Sequence, residues 1–106
     1  MPTPEELIDR YFALAPKSDP PDYFDQFRDD AVVEDEDQVH RGLVAIRAWR
    51  EEVPLLGFVV KSVAADGADW IATAEVSGDF PGSPVELTYR FEFDADGYIT
   101  HLIIRP

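Results

Sequence analysis

Cysteine is absent from this chain, and its absence removes several chemistries at once. Without a thiol there is no disulfide framework, thiolate nucleophile, iron–sulfur cluster or sulfur-ligated zinc site. Positive charge is scarce: nine lysines and arginines stand against 22 aspartates and glutamates, a formal net charge of −13. Such a surface repels phosphate backbones and anionic lipid, which disfavours nucleic-acid and membrane partners. Long apolar runs are missing; no stretch approaches the ~18 residues of a membrane-spanning helix. The opening Met1-Pro2-Thr3-Pro4-Glu5-Glu6 is acidic and lacks an apolar signal core. Histidine occurs only twice, never as a pair at metal-ligand spacing. Asp35-x-Asp37 and Asp94-x-Asp96 offer hard oxygen ligands, but neither continues into a calcium loop. Gly67 and Gly97 read as turn glycines, with no phosphate-binding fingerprint around them. These absences lead to the expectation of a soluble, cytoplasmic domain without metal or cofactor.

What is present is core material. The 106 residues are 45% hydrophobic and 12% aromatic, the composition of a folded chain rather than a disordered one. A chain of this size exposes about 6,000 Å² folded against about 17,000 Å² unfolded, enough burial for one core and a modest pocket. No linker, repeat or low-complexity tract divides it, so residues 1–106 read as a single domain.

The first half carries helical spacing. Thr3, Pro4 and Glu6 make a capping box. Leu7, Ile8, Tyr11, Phe12, Leu14 and Ala15 follow as one apolar stripe, ended by Pro16. Ser18 or Asp19 caps a short second helix containing Tyr23, Phe24 and Phe27. Residues 31–35 read as a short strand and residues 36–41 as a polar loop. A third helix runs from about Gly42, with Leu43, Ile46, Trp49 and Val53 on one face, and Pro54 stops it. Beyond Pro54 the period changes to two. Strands are expected over residues 56–64, 70–77, 85–94 and 98–105, the clearest being Val85, Leu87, Tyr89, Phe91 and Phe93 alternating with polar neighbours. The Asp94-Ala95-Asp96-Gly97 run is a hairpin turn. Helices first and consecutive strands afterward predict an α+β fold: a curved, mostly antiparallel sheet shaped as a cone, with three N-terminal helices on its concave face.

Three stretches together resemble the nuclear-transport-factor-2-like superfamily, in its ketosteroid-isomerase and polyketide-cyclase-like (SnoaL-like) branches. They are Asp9-Arg10-Tyr11; the run from Phe27 to Asp35 with Arg41-Gly42 and Ala45 to Trp49; and the run from Tyr89 to Ile99. The resemblance implies a cofactor-free isomerase, cyclase or dehydratase acting on a small apolar carbonyl compound. In ketosteroid isomerase a helix-1 tyrosine donates to the substrate oxyanion, an aspartate ending the first strand moves the proton, and a second, protonated acid completes the oxyanion hole. Tyr11 matches the tyrosine and Asp35 the aspartate, with no gap between them. Tyr89 stands at the place of the second acid, and the 36–41 segment is shorter than the family's loop. The same fold also serves non-catalytic ligand-binding and dimerisation modules, which is the alternative reading.

Each residue has two readings on its own chemistry. Asp35 facing an apolar cavity is poorly hydrated and so a stronger base; within Glu34-Asp35-Glu36-Asp37 it is also at home in a solvated acidic turn. Tyr11 and Tyr89 are oxyanion donors or core tyrosines that bond another side chain. Phe27, Trp49, Trp70, Leu87, Phe91 and Leu102 line the pocket or fill the core. His40 lies at the pocket rim or in solvent. Ile71, Thr73, Ile99, His101 and Ile103 fall on the outer sheet face, which is expected to form a homodimer.

Overall fold

The computed structural model describes residues 2–16, 21–53 and 56–106. Helix α1 spans Pro4–Leu14. Glu6 N–H donates to Thr3 Oγ1 at 3.2 Å and Thr3 N–H to Glu6 Oε1 at 3.1 Å, the reciprocal capping box. Such a cap contributes about 1 kcal/mol and fixes where the helix starts, hence which face Ile8, Tyr11 and Phe12 bury. Helix α2 is the single turn Pro21–Phe24. Its expected caps, Ser18 and Asp19, lie outside the described residues, as does Pro54.

Strand β1 spans Phe27–Asp35, so Phe27 opens a strand rather than closing a helix. The segment expected as a polar loop is a hairpin. Glu36 and Asp37 form a two-residue turn with φ of 52° and 62°, and β2 (Gln38–Arg41) returns antiparallel with Asp35 opposite Gln38. Two consecutive left-handed residues give the backbone twist that a tight hairpin needs. Helix α3 spans Gly42–Glu52 and buries Ile46 and Trp49. Strands β3 (Leu56–Asp66), β4 (Asp69–Gly78), β5 (Val85–Phe93) and β6 (Ile99–Arg105) complete a six-stranded sheet of order β2-β1-β6-β5-β4-β3. Among the described residues only β1 and β6 pair in parallel; every other pair is antiparallel. The helices and this mixed sheet make the α+β cone.

The inward face of the sheet alternates small and large residues. Ala72 opposes Tyr89 and Ala74 opposes Leu87 across the β4–β5 ladder. Helix α1 lays Tyr11 and Phe12 over them: Phe12 meets Tyr89 edge-on at 5.0 Å between ring centroids, and Tyr11 meets Phe91 edge-on at 5.3 Å. The β5–β6 turn is held by Asp94, whose carboxylate accepts from Asp96 N–H at 3.0 Å and Tyr98 N–H at 2.9 Å.

One outer-face assignment is corrected. Phe93 pairs with Ile99 but Glu92 pairs with His101, so Thr100 is an extra residue in β6. The bulge reverses the facing of everything before it. Ile99 is therefore buried in the core, while His101 and Ile103 follow the outward phase. The outer face is also more polar than its isoleucines suggest. His101 Nε2 meets Glu34 Oε2 at 2.5 Å and its Nδ1 meets Glu92 Oε2 at 3.1 Å. Among the described residues no helix is long and apolar enough to cross a membrane.

Candidate functional site

A cavity of about 950 Å³ opens between α1, α2, α3 and the inner sheet face. Strand β1 delivers Asp35 to it, α1 delivers Tyr11, α2 Tyr23, α3 Trp49 and Arg50, and β5 Leu87 and Tyr89. The tight turn after Asp35 brings Glu36 and Asp37 to the mouth, where Glu52 at the end of α3 and Arg105 near the end of β6 also stand. Residues far apart in sequence thus converge because three helices and the inner face of the sheet meet around one space.

Asp35 is half-buried, and Trp49 Nε1–H donates to its Oδ2 at 3.1 Å. Tyr11 and Tyr23 share a hydrogen bond of 3.0 Å between their hydroxyls. Whichever of the two accepts keeps its own O–H available, so the pair always retains one proton to donate into the cavity. Arg50 Nη2 donates to the Ala15 carbonyl at 2.6 Å, and its guanidinium lies 4.8 Å from the Tyr23 ring centroid. Tyr89 sits 6.1 Å from Tyr11, ring to ring, and its hydroxyl makes no hydrogen bond among the described residues.

Burial pushes the Tyr11 phenol well above its ordinary value, and neighbouring Tyr23 adds to the rise. Burial likewise raises Tyr23, against the hydrogen bond from Tyr11 and the charge of Arg50. Tyr89 is raised by burial first, then by Tyr11 and Asp35. All three phenols are thus neutral hydrogen-bond donors at physiological pH, the form an oxyanion needs.

Asp35, Tyr11 and Tyr89, singled out from the sequence, line this one cavity, together with Trp49 and Leu87. Four other residues named as pocket lining do not. Phe91 and Leu102 are sealed in the core, and Trp70 packs against that core from the β4 end. Phe27 lines a separate groove of about 720 Å³ with Leu7, Phe24 and Phe93. His40 is half-buried at the cavity, its ring 6.0 Å from that of Trp49. Tyr23 and Arg50 were missed. Tyr23 stands in the sequence beside Phe24 between Asp22 and Asp25, and nothing local predicted its pairing with Tyr11. No group of three or more His, Asp or Glu side chains among the described residues is arranged to hold a metal ion.

Comparison with known proteins places this geometry. No protein-family model and no curated protein matches the chain. Solved structures do. A candidate polyketide cyclase from Sinorhizobium meliloti is 36% identical, over 99% of this chain and 95% of that one, with a TM-score of 0.86. An NTF2-like protein from Cytophaga hutchinsonii superposes with a TM-score of 0.81 at 13% identity, over 98% of this chain and 89% of that one. A candidate SnoaL-like polyketide cyclase from Jannaschia has a TM-score of 0.76 at 19% identity, over 95% of this chain and 83% of that one. The last two share the fold alone, whereas the first shares more than a third of its sequence along nearly the whole length. By that identity, and by a cone that closes over Tyr11 and Asp35, the chain belongs to the nuclear-transport-factor-2-like superfamily and resembles its polyketide-cyclase-like members.

Proposed function

We propose that this protein is a cofactor-independent proton-transfer enzyme, an isomerase or cyclase acting on a small apolar carbonyl compound. The observation that carries this reading is the half-buried carboxylate of Asp35, held by Trp49 Nε1–H, in an aromatic cavity that also holds three neutral phenols. Asp35 removes a proton from the carbon next to the carbonyl. The electron pair moves onto the carbonyl oxygen, and a phenol of the Tyr11–Tyr23 pair or Tyr89 donates a hydrogen bond to the enolate. In an isomerisation the same carboxyl returns the proton to another carbon. In a cyclisation the enolate carbon attacks a second carbonyl of the substrate, and the Asp35 proton quenches the new alkoxide. Both outcomes balance with no further reactant. The likeness to the Sinorhizobium meliloti protein supports the carbonyl substrate class.

The test is hydrogen–deuterium exchange at the acidic carbon of 2-tetralone, followed by NMR in D₂O. The wild type is expected to accelerate exchange over buffer. Asp35→Asn keeps the acceptor for Trp49 but removes the base, and is expected to lower the protein-dependent rate by roughly 10²- to 10⁴-fold. Equal exchange by the two proteins would refute Asp35 as the base. Binding of the ketone without any exchange would instead identify a ligand-binding module.

A further inference from the structure

The hydroxyls of Tyr11 and Tyr23 lie 3.0 Å apart in the wall of the cavity, and both rings are buried. A hydrogen bond between two neutral phenols has one donor and one acceptor, and the acceptor is the phenol whose own O–H stays available to a ligand. The surroundings of the two rings are not alike. The Arg50 guanidinium lies over the Tyr23 ring, 4.8 Å from its centroid, and is tied to the Ala15 carbonyl at 2.6 Å. Tyr11 instead has neutral rings around it, with Phe12 at 5.2 Å, Phe91 at 5.3 Å and Tyr89 at 6.1 Å between centroids. A phenol that donates gains negative charge on its oxygen, and a cation over its ring favours that charge. Burial raises both phenols, but the bond between them raises Tyr11 further and lowers Tyr23, which separates the pair in the same sense. Tyr23 is thus the better donor of the two.

We infer that Arg50 is a positioning residue: its charge over the Tyr23 ring makes Tyr23 the donor and Tyr11 the acceptor, so that the proton presented to a ligand's oxyanion is that of Tyr11. The inference rests on the cavity being the site of a carbonyl ligand, as in the proposed function, and adds which phenol meets the enolate and what selects it. As negative charge forms on the ligand oxygen, Tyr11 donates to it, Tyr23 donates to Tyr11, and Arg50 stabilises the charge drawn toward Tyr23. Such a chain polarises along its length and strengthens each bond in it. No covalent bond forms or breaks within it, so it needs no further reactant. The ligand class that follows is one ionised at oxygen, an enolate or a phenolate, once the Asp35 carboxyl has lost its charge by taking a proton.

The experiment uses Asp35→Asn, which reproduces the uncharged side chain, and two ligands built on one ring system. 2-Naphthol ionises to a phenolate that imitates the enolate and absorbs at longer wavelength, whereas 2-naphthylmethanol stays neutral. Both are titrated at pH 8, where free 2-naphthol is almost wholly neutral. Bound 2-naphthol is expected to show the phenolate band. Tyr11→Phe, made in the same background, is expected to lower naphtholate affinity the most, by about tenfold or more. Arg50→Gln and Tyr23→Phe are each expected to lower it roughly three- to tenfold, with a much smaller change for 2-naphthylmethanol. Arg50 acts through Tyr23, so Arg50→Gln added to Tyr23→Phe is expected to cost little more. Arg50→Lys keeps the charge and is expected to retain most of the phenolate preference.

Bound 2-naphthol without the phenolate band overturns the proposal, and so does a failure of both ligands to bind. Equal losses for the two ligands in Arg50→Gln leave Arg50 a structural role only and overturn it too. A loss in Tyr23→Phe as large as that in Tyr11→Phe, or full additivity of Arg50→Gln with Tyr23→Phe, has the same effect. If Arg50→Gln does not fold, Arg50→Lys and the order of the two tyrosine variants decide. Exchange on 2-tetralone needs Asp35 intact and is a separate readout, so failure of the Arg50 assignment and failure of the Asp35 chemistry are told apart.

Discussion

Trp49 donates its indole N–H to Asp35, 3.1 Å from Nε1 to Oδ2, and so links the end of β1 to the inner face of α3. The bond occupies one carboxylate oxygen and leaves the other for chemistry. Trp49→Phe keeps an aromatic ring in the same place but removes the donor. The expected stability loss is about 1 kcal/mol, the net worth of such a bond plus a modest volume change. The expected effect on 2-tetralone exchange is larger in proportion, because a carboxylate that rotates freely spends less time in line with the substrate. Urea unfolding and NMR exchange on one preparation separate the two. An exchange rate equal to that of the wild type would remove Trp49 as a positioning residue.

The paired hydroxyls of Tyr11 and Tyr23 predict non-additive mutations. Either single change to phenylalanine leaves the partner hydroxyl without its bond in a buried setting, at a cost of about 1–3 kcal/mol. Changing both removes donor and acceptor together. The double variant is therefore expected to lose less than the sum of the two singles, with a coupling of at least about 0.5 kcal/mol. A double-mutant cycle by urea denaturation measures it. Strict additivity would mean that the two hydroxyls do not depend on each other.

How far this arrangement could be read from the chain alone depends on how local its cause is. The Thr3–Glu6 capping box is a contact between residues three apart, and it formed as read. The alternation in β5 is a property of nine consecutive residues, and the ladder with β4 keeps it unbroken. The β1–β2 hairpin escaped notice because its turn is Glu36-Asp37. Left-handed turns are usually announced by Asn-Gly or Asp-Gly, and a glutamate at φ 52° is an uncommon choice that only the paired strands around it can hold. Ile99 was placed on the wrong face because a period of two has no means of counting the extra residue at Thr100. The site divides in the same way. Tyr11 and Asp35 could be found as residue types at expected places, whereas the Tyr11–Tyr23 and Trp49–Asp35 bonds join elements whose relative placement is set by tertiary packing.

Three buried phenols with raised values predict a loss of stability in alkali. The ordinary phenol value is 10.0, and Tyr11, Tyr23 and Tyr89 all lie above it in the folded protein. Below pH 10 both states hold these protons and the fold keeps its full stability. As pH rises past 10 the unfolded chain releases protons that the folded chain retains, so stability falls with pH. The melting temperature is expected to drop steadily above pH 10. Tyrosinate absorbance, followed in a Tyr98→Phe background so that only these three phenols contribute, is expected to rise together with unfolding. Reversible ionisation of all three at pH 10 with the fold intact would contradict their burial.

Filling the cavity distinguishes open space from packed core. Leu87 lines it from β5, half-buried, opposite the small Ala74 of β4. Inserting extra methylenes or rings into a well-packed core costs about 1–3 kcal/mol through displaced side chains. A cavity of about 950 Å³ has room for the added ring. Leu87→Trp is therefore expected to leave the melting temperature unchanged or raise it, since the indole gains apolar contacts with Phe58 and Tyr89. The same change is expected to weaken binding of 2-naphthylmethanol at least tenfold, because the protein's own ring then occupies the ligand's place. A destabilisation in the overpacking range, with binding intact, would show that the ligand enters elsewhere and that the space beside Leu87 is closed.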